Sequence, residues 1–221
     1  MTSNTYYKIF IQARMSSRRL PGKVLLPLKG RPVIDHVLRS INRKKAVVLT
    51  SSEPSDDLLA TWLTDNNILH FRGSLDDVLG RFCDAIDLYK PTWVVRVCAD
   101  SPLISSELVS GMLDLIDPKV DIVTNVLERT FPKGQSVEIV RAGILKDLNK
   151  HDLCSEDREH VTRFIYKNPS LFKIKHITIE PPLSYENHAL DTSEDYDRIN
   201  SRDTESTYLL PDRSSWIINE C

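Results

Sequence analysis

Short apolar runs alternate with amphipathic stretches about every twenty-five residues through the first half of the chain. Ile9 to Ile11 reads as a buried strand behind a polar start. Pro32 stands where a helix can begin, with Val33, Ile34, Val37, Leu38 and Ile41 on one face and Lys44 and Lys45 closing it. Ala46 to Thr50 predicts a second strand, followed by the turn S-S-E-P-S, with Ser55 as N-cap of a helix to about Asp65. Ile68 to Phe71 reads as a third strand. Ser74, with Asp77 three residues on, forms a capping-box variant ahead of a buried stripe of Val78, Phe82, Ala85, Ile86 and Tyr89. Trp93 to Val97 is apolar except for Arg96, the pattern of a central parallel strand. Ser105 or Ser106 then caps a helix to about Ile116, and Asp121 to Thr124 is a further strand. Strand and helix in turn predict an α/β fold, a three-layer sandwich around a mostly parallel sheet.

Beyond Asn125 the rhythm changes. Arg129 to Gln135 is a loop holding Pro132 and Gly134, and V-E-I-V from Val137 is strand-like. A short helix fits Ala142 to Asn149, a longer one fits Glu156 to Lys167, and Phe172 to Glu180 reads as an edge strand ended by Pro181 and Pro182. Thr192 to Asp195 is a capping-box pattern that opens a helix carrying Tyr196 and Ile199. The last fifteen residues read as a loosely attached tail. The chain is expected to form one domain over 1–221, with a small inserted or appended lobe at roughly 126–185.

Composition narrows the class. A chain of 221 residues can bury a full core without disulfide or metal staples. A formal net charge of −2 argues against a general nucleic-acid or membrane binder, so no nucleic-acid and no membrane partner is expected. Cys83, Cys98, Cys154 and Cys221 show no C-x-x-C spacing and read as reduced thiols of a cytoplasmic protein.

The positive charge is local instead. Directly after the first strand, Arg14, Arg18, Arg19 and Lys23 fall in a loop with Ser16, Ser17, Pro21 and Gly22. A cationic, hydroxyl-bearing loop at a strand's C-terminal end is how many α/β proteins hold phosphate, although on charge alone a solvated basic loop would do. Asp100 follows the most apolar strand at the same sheet edge, where a carboxylate beside a polyphosphate suits a Mg²⁺ ligand. Capping the next turn is its plainer role, and Asp191, before a helix start, has the same two readings. Glu138 alternates with Val137 and Ile139, which would turn it to solvent, and His160 reads as a surface histidine or a sugar-side contact. The chain lacks both G-x-x-x-x-G-K-[ST] and G-x-G-x-x-G.

A-R-M-S-S-R-R-L-P-G-K-V-L from Ala13 resembles the signature of the acylneuraminate-type cytidylyltransferases, relatives of the CMP-sialic acid and CMP-Kdo synthetases. R-G-S-L-D-D-V-L-G-R-F, C-A-D-S-P-L-I, R-T-F-P-K-G-Q-S-V-E-I, D-R-E-H-V-T-R-F-I-Y and L-D-T-S-E-D-Y-D-R-I resemble further blocks of the branch typified by the spore-coat polysaccharide biosynthesis protein F. Ala99 and Ser193 depart from that pattern, which has Gly and Pro there. The resemblance implies a nucleotide-diphospho-sugar-transferase-like, Rossmann-like fold. It implies CMP transfer from CTP to a small acidic sugar in surface polysaccharide biosynthesis, with Mg²⁺ as cofactor and a homodimer as assembly. Another triphosphate, a sugar-phosphate or phosphonate acceptor, or a silent nucleotide-binding subunit are the alternatives. By position it makes Lys23, Arg14 and Asp100 catalytic. Ala13, Arg14, Ser17, Arg19, Lys23, Arg72, Ser74 and Asp100 become the nucleotide site. Glu138, Arg158 and His160 would face the acceptor, and Asp100 and Asp191 would hold the metal.

Overall fold

A computed structural model describes residues 6–201 and 210–221. Its centre is an eight-stranded sheet of β1 (Tyr7–Gln12), β4 (Ala46–Ser51), β5 (His70–Gly73), β6 (Trp93–Cys98), β7 (Ile122–Thr124), β8 (Glu138–Arg141), β9 (Ile174–Ile179) and β10 (Trp216–Glu220). Two short strands, β2 (Pro27–Leu28) and β3 (Arg31–Pro32), pair separately. The order across the sheet is β10-β9-β7-β8-β6-β1-β4-β5. Strand β1 lies between β4 and β6, parallel to both, and β5 continues the parallel set beyond β4. Strand β8 runs antiparallel to its neighbours β6 and β7, so the sheet is mixed.

Alternation of side chains along each strand divides the core into two layers. Ile9 and Ile11 of β1 face one layer with Val48 and Val95. That layer is covered by α1 (Val33–Ser40), α2 (Asp57–Asp65) and α4 (Ser106–Leu113). Phe10 faces the other layer with Val47 and Val94, beneath α3 (Val78–Tyr89), α5 (Ala142–Leu148), α6 (Ser155–Glu159) and α7 (Arg163–Lys167). Helix α8 (Ser193–Ser201) packs Ile199 against Leu28, Val33 and Leu190 in a satellite cluster. The expected three-layer α/β architecture is present.

Several boundaries differ from the sequence pattern. Helix α1 ends at Ser40, and Lys44 and Lys45 belong to a 3-10 turn over Arg43–Lys45. Asp56, and not Ser55, stands at the N-terminal cap of α2, and Asp77 rather than Ser74 caps α3 by accepting from the Gly80 N–H. The stretch 126–185 forms no sheet of its own, because β8 and β9 join the main sheet. Strand β9 is not an edge: the supposed tail supplies β10, which pairs antiparallel with it from Trp216–Ile179 to Glu220–Lys175. Residues 207–209 of that tail lie outside the described residues. Trp216 anchors the strand, close enough to α4 that a Cβ on Gly111 would come 2.6 Å from its ring.

The predicted helix 156–167 breaks at His160 into α6 and α7. The break delivers Thr162 and Tyr166 to Glu138. That residue, expected to be turned outward and facing an acceptor, is buried at 2% exposure. Its carboxylate pairs with Arg96 on the neighbouring strand and accepts from Thr162 Oγ1 at 2.5 Å and Tyr166 Oη at 2.6 Å. A charge buried between strands needs such partners, and Arg96 supplies the opposite charge. Burial would raise the Glu138 carboxyl pKa, but Arg96 and the two hydroxyls outweigh it and hold the group below its ordinary 4.5. A lowered carboxyl stabilises the fold above its unfolded value and loses that contribution as pH falls through the folded one. Glu138→Gln should therefore lower unfolding free energy by about 3 kcal/mol at pH 7, with the gap to wild type narrowing as pH drops below 4.5, in urea titrations at stepped pH.

Candidate functional site

A cleft of about 710 Å³ opens at the C-terminal ends of β1 and β6, the edge where parallel α/β sheets bind ligands. Ala13 and Ala99 extend the sheet ladder past the strand ends, the first bonding Leu49 O and the second Gln12 O, each at 3.0 Å. The cationic loop then folds over this floor. Its return is made by Gly22, whose φ of 72° lies in the left-handed region and whose N–H donates to Met15 O at 2.8 Å. Lys23 follows at the start of a 3-10 turn, so its side chain points inward.

The base of the loop is held from outside. Asp56, fully buried, accepts from the Met15 N–H at 2.7 Å and from Ser51 N and Thr50 Oγ1 at 2.9 Å. Burial alone would raise its carboxyl pKa, and these donors lower it below the ordinary value. The sequence pattern held no sign of this role, since Asp56 reads there as one of several acids near a helix start.

Lys23 is the centre of the site. Its side chain is 9% exposed, and the ammonium lies 2.6 Å from Asp100 Oδ2 and 2.8 Å from Asp191 Oδ1. Burial would lower its pKa, but the two carboxylates win and the value is raised. Asp191 also takes Arg19 at 2.9 Å on Oδ1 and Lys133 at 2.6 Å on Oδ2. Burial would push the Asp191 carboxyl up, yet Lys133 and Lys23 hold it well below the usual carboxylate range. The two acids meet because the Leu190 N–H donates to Asp100 O at 2.8 Å, stitching one segment to the other. The predicted capping box then fixes the start of α8: Asp195 donates its N–H to Thr192 Oγ1 while its carboxylate accepts from the N–H groups of Asp191 and Thr192.

Of the residues singled out beforehand, Ala13, Arg14, Ser17, Arg19, Lys23, Asp100 and Asp191 all line this cleft. Arg14 spans it to Glu159 at 3.2 Å, at the end of α6. The remaining ones lie elsewhere. Arg72 bonds Ser51 O and Asp57, and the exposed Ser74 accepts from the Asp77 N–H, leaving the intervening Leu75 and Asp76 to reach the cleft. Arg158 pairs with Asp77 at 2.9 Å, His160 is exposed, and Glu138 is enclosed with Arg96. Glu138 still touches the floor indirectly, because Arg96 donates to Gln12 Oε1 at 3.0 Å and Gln12 lines the cleft. Cys98 also lines it, its thiol pushed up to about 11 by burial.

Lys133 was not picked out from the sequence. Pro132 and Gly134 mark its loop as tight, but only the fold carries that loop to Asp191. Lys133 N–H donates to Glu186 O and its carbonyl accepts from the His188 N–H, while Gly134 passes so close to His188 and Ala189 that a Cβ there would meet backbone at 2.5 Å.

Among the described residues no group of three or more His, Cys, Asp or Glu side chains converges as a metal cage, and no helix is long and apolar enough to cross a membrane. The assembly is therefore a cationic cradle around a carboxylate pair, suited to a polyphosphate.

Comparison with known proteins agrees with this chemistry. The spore coat polysaccharide biosynthesis protein SpsF of Bacillus subtilis (strain 168) is 32% identical over 200 residues, covering 86% of this chain and 82% of that protein. A solved cytidylyltransferase from Leptospira borgpetersenii serovar Hardjo-bovis has a TM-score of 0.86 at 32% identity, over 94% of this chain and 89% of that one. CMP:2-keto-3-deoxy-manno-octonic acid synthetase, solved with CTP, shares the fold at a TM-score of 0.63 and 16% identity, over 89% of this chain and 97% of that one. The cytidylyltransferase family model matches residues 9–206, which include both the loop that carries Lys23 and the aspartates that hold it, and the chain belongs to that family.

Proposed function

We propose that this protein transfers CMP from CTP to a small acidic sugar, releasing pyrophosphate, in the synthesis of a surface glycan. The observation that carries the proposal is the Lys23 ammonium set between Asp100 and Asp191 beneath a loop of arginines. An acceptor oxygen attacks the α-phosphorus in line and pyrophosphate leaves. Such a step needs positioning and charge neutralisation more than covalent chemistry. Arg14, Arg18 and Arg19 line the same wall and would take the triphosphate oxygens, with Lys23 meeting charge as it builds on the α-phosphate.

The carboxylate pair fits a divalent cation. Both are hard oxygen donors that already converge on one positive centre, and Mg²⁺ is commonly held by one or two carboxylates plus phosphate oxygens. Asp100 and Asp191 would hold it, and it would supply positive charge against the phosphates and make the acceptor hydroxyl easier to deprotonate. Cytoplasmic residence, which rests on the cysteine pattern, and a homodimer built through 126–185, which rests on the family resemblance, belong to the same proposal.

Pyrophosphate release should be fastest with CTP when the four nucleoside triphosphates are each offered with a panel of acidic sugars, and EDTA should abolish it until Mg²⁺ is restored. Equal rates with all four triphosphates, or turnover in EDTA, would contradict the scheme. Lys23→Ala should lower kcat by about a hundredfold or more, the scale of losing one preorganised charge donor, in a variant whose folding is verified by circular dichroism. Unchanged turnover in that variant would remove Lys23 from the chemistry.

A further inference from the structure

We infer that Lys133 keeps free divalent cations out of the site, so that the metal enters only together with a nucleotide. The inference rests on the proposed use of Asp100 and Asp191 as metal ligands. Asp191 is engaged on both oxygens, by Lys23 and Arg19 on one and by Lys133 on the other. Lys23 also occupies the near oxygen of Asp100. Three cations thus face two carboxylates, and the metal position is net positive before any ligand arrives. A bare dication would have to displace ammonium groups held at 2.6 Å, and the enclosed Lys23 has little water to replace a lost carboxylate. A triphosphate changes that balance. Its oxygens give Lys23 and Arg19 new partners at the moment the metal needs the carboxylates, and the metal–nucleotide complex is itself anionic.

Lys133 differs from the other two cations in where it comes from. Lys23 and Arg19 ride on the phosphate loop and would follow the phosphates. Lys133 comes on a separate loop and takes the other oxygen of Asp191, from a backbone pinned by Glu186 and His188 and by the left-handed Gly134 at φ 91°. Its side chain is half-exposed, so removing it opens no cavity in the core. It is a positioning residue for the carboxylates, and its effect is read in metal binding rather than in turnover.

The test is a titration of Mn²⁺ into the full-length protein, followed by electron paramagnetic resonance of the free ion, with and without CTP. Without nucleotide, wild type should bind Mn²⁺ weakly, Lys133→Met at least tenfold more tightly, and Lys133→Arg as weakly as wild type. With CTP present, the gap between wild type and Lys133→Met should close. Equal affinities for wild type and Lys133→Met without nucleotide, or tight binding by nucleotide-free wild type, would overturn the inference. Lys133→Gln replaces Lys133→Met if the latter fails to fold by circular dichroism. The nucleotide-free arm needs no turnover, so a protein that shows the Lys133 effect yet releases no pyrophosphate would strike the proposed function alone.

Discussion

The arrangement of this protein turns on one buried ammonium group and the two carboxylates that surround it. Lys23 enters the site from a loop near the start of the chain, whereas Asp100 and Asp191 lie 77 and 168 residues further on. A lysine so enclosed cannot stay charged without partners, and Asp191, equally enclosed, needs the cations gathered around it. Each therefore fixes the others. The demand reaches outward: Asp100 is tied to Leu190 through the backbone, Asp191 sits at a capped helix start, and Lys23 follows a left-handed glycine that only a sharp return can use. The cationic loop is thus not a free basic segment but the upper half of an ion-paired cluster.

A second buried pair supports the floor. Arg96 and Glu138 join β6 to the antiparallel β8, and their hydrogen bonds run from Tyr166 and Thr162 on one side to Gln12 in the cleft on the other. The strand that makes the sheet mixed therefore also orders a side chain at the site. Apolar layers above and below the sheet hold these polar groups in place without contributing to the chemistry.

Some errors of sequence reading share one physical origin. Periodicity treats each element as if it met only core and water. Glu138 alternates as a solvent-facing residue would, and it is buried because an arginine one strand away needs it. A helical pattern over 156–167 ignores the turn at His160 that brings Thr162 and Tyr166 to that carboxylate. The final residues read as a loosely attached tail, whereas Trp216 packs against Gly111 of α4 and β10 joins the sheet beside β9. Arg72, Ser74, Arg158 and His160 lie in blocks that resemble the family's, yet proximity in a block does not decide which neighbour reaches the cleft.

By itself the sequence determined the alternation of strands and helices and the position of the cationic loop at a strand's end. Those follow from local periodicity and from residue types whose chemistry is legible anywhere, whereas the pairing of Asp100 with Asp191 came from the resemblance to a family. Tertiary structure alone decided that Asp56 braces the loop, that Glu138 faces inward, that the tail is a strand, and that Lys133 meets Asp191. Each of these joins residues far apart in the chain, and the need of a buried charge for a partner acts through space and leaves no period along it.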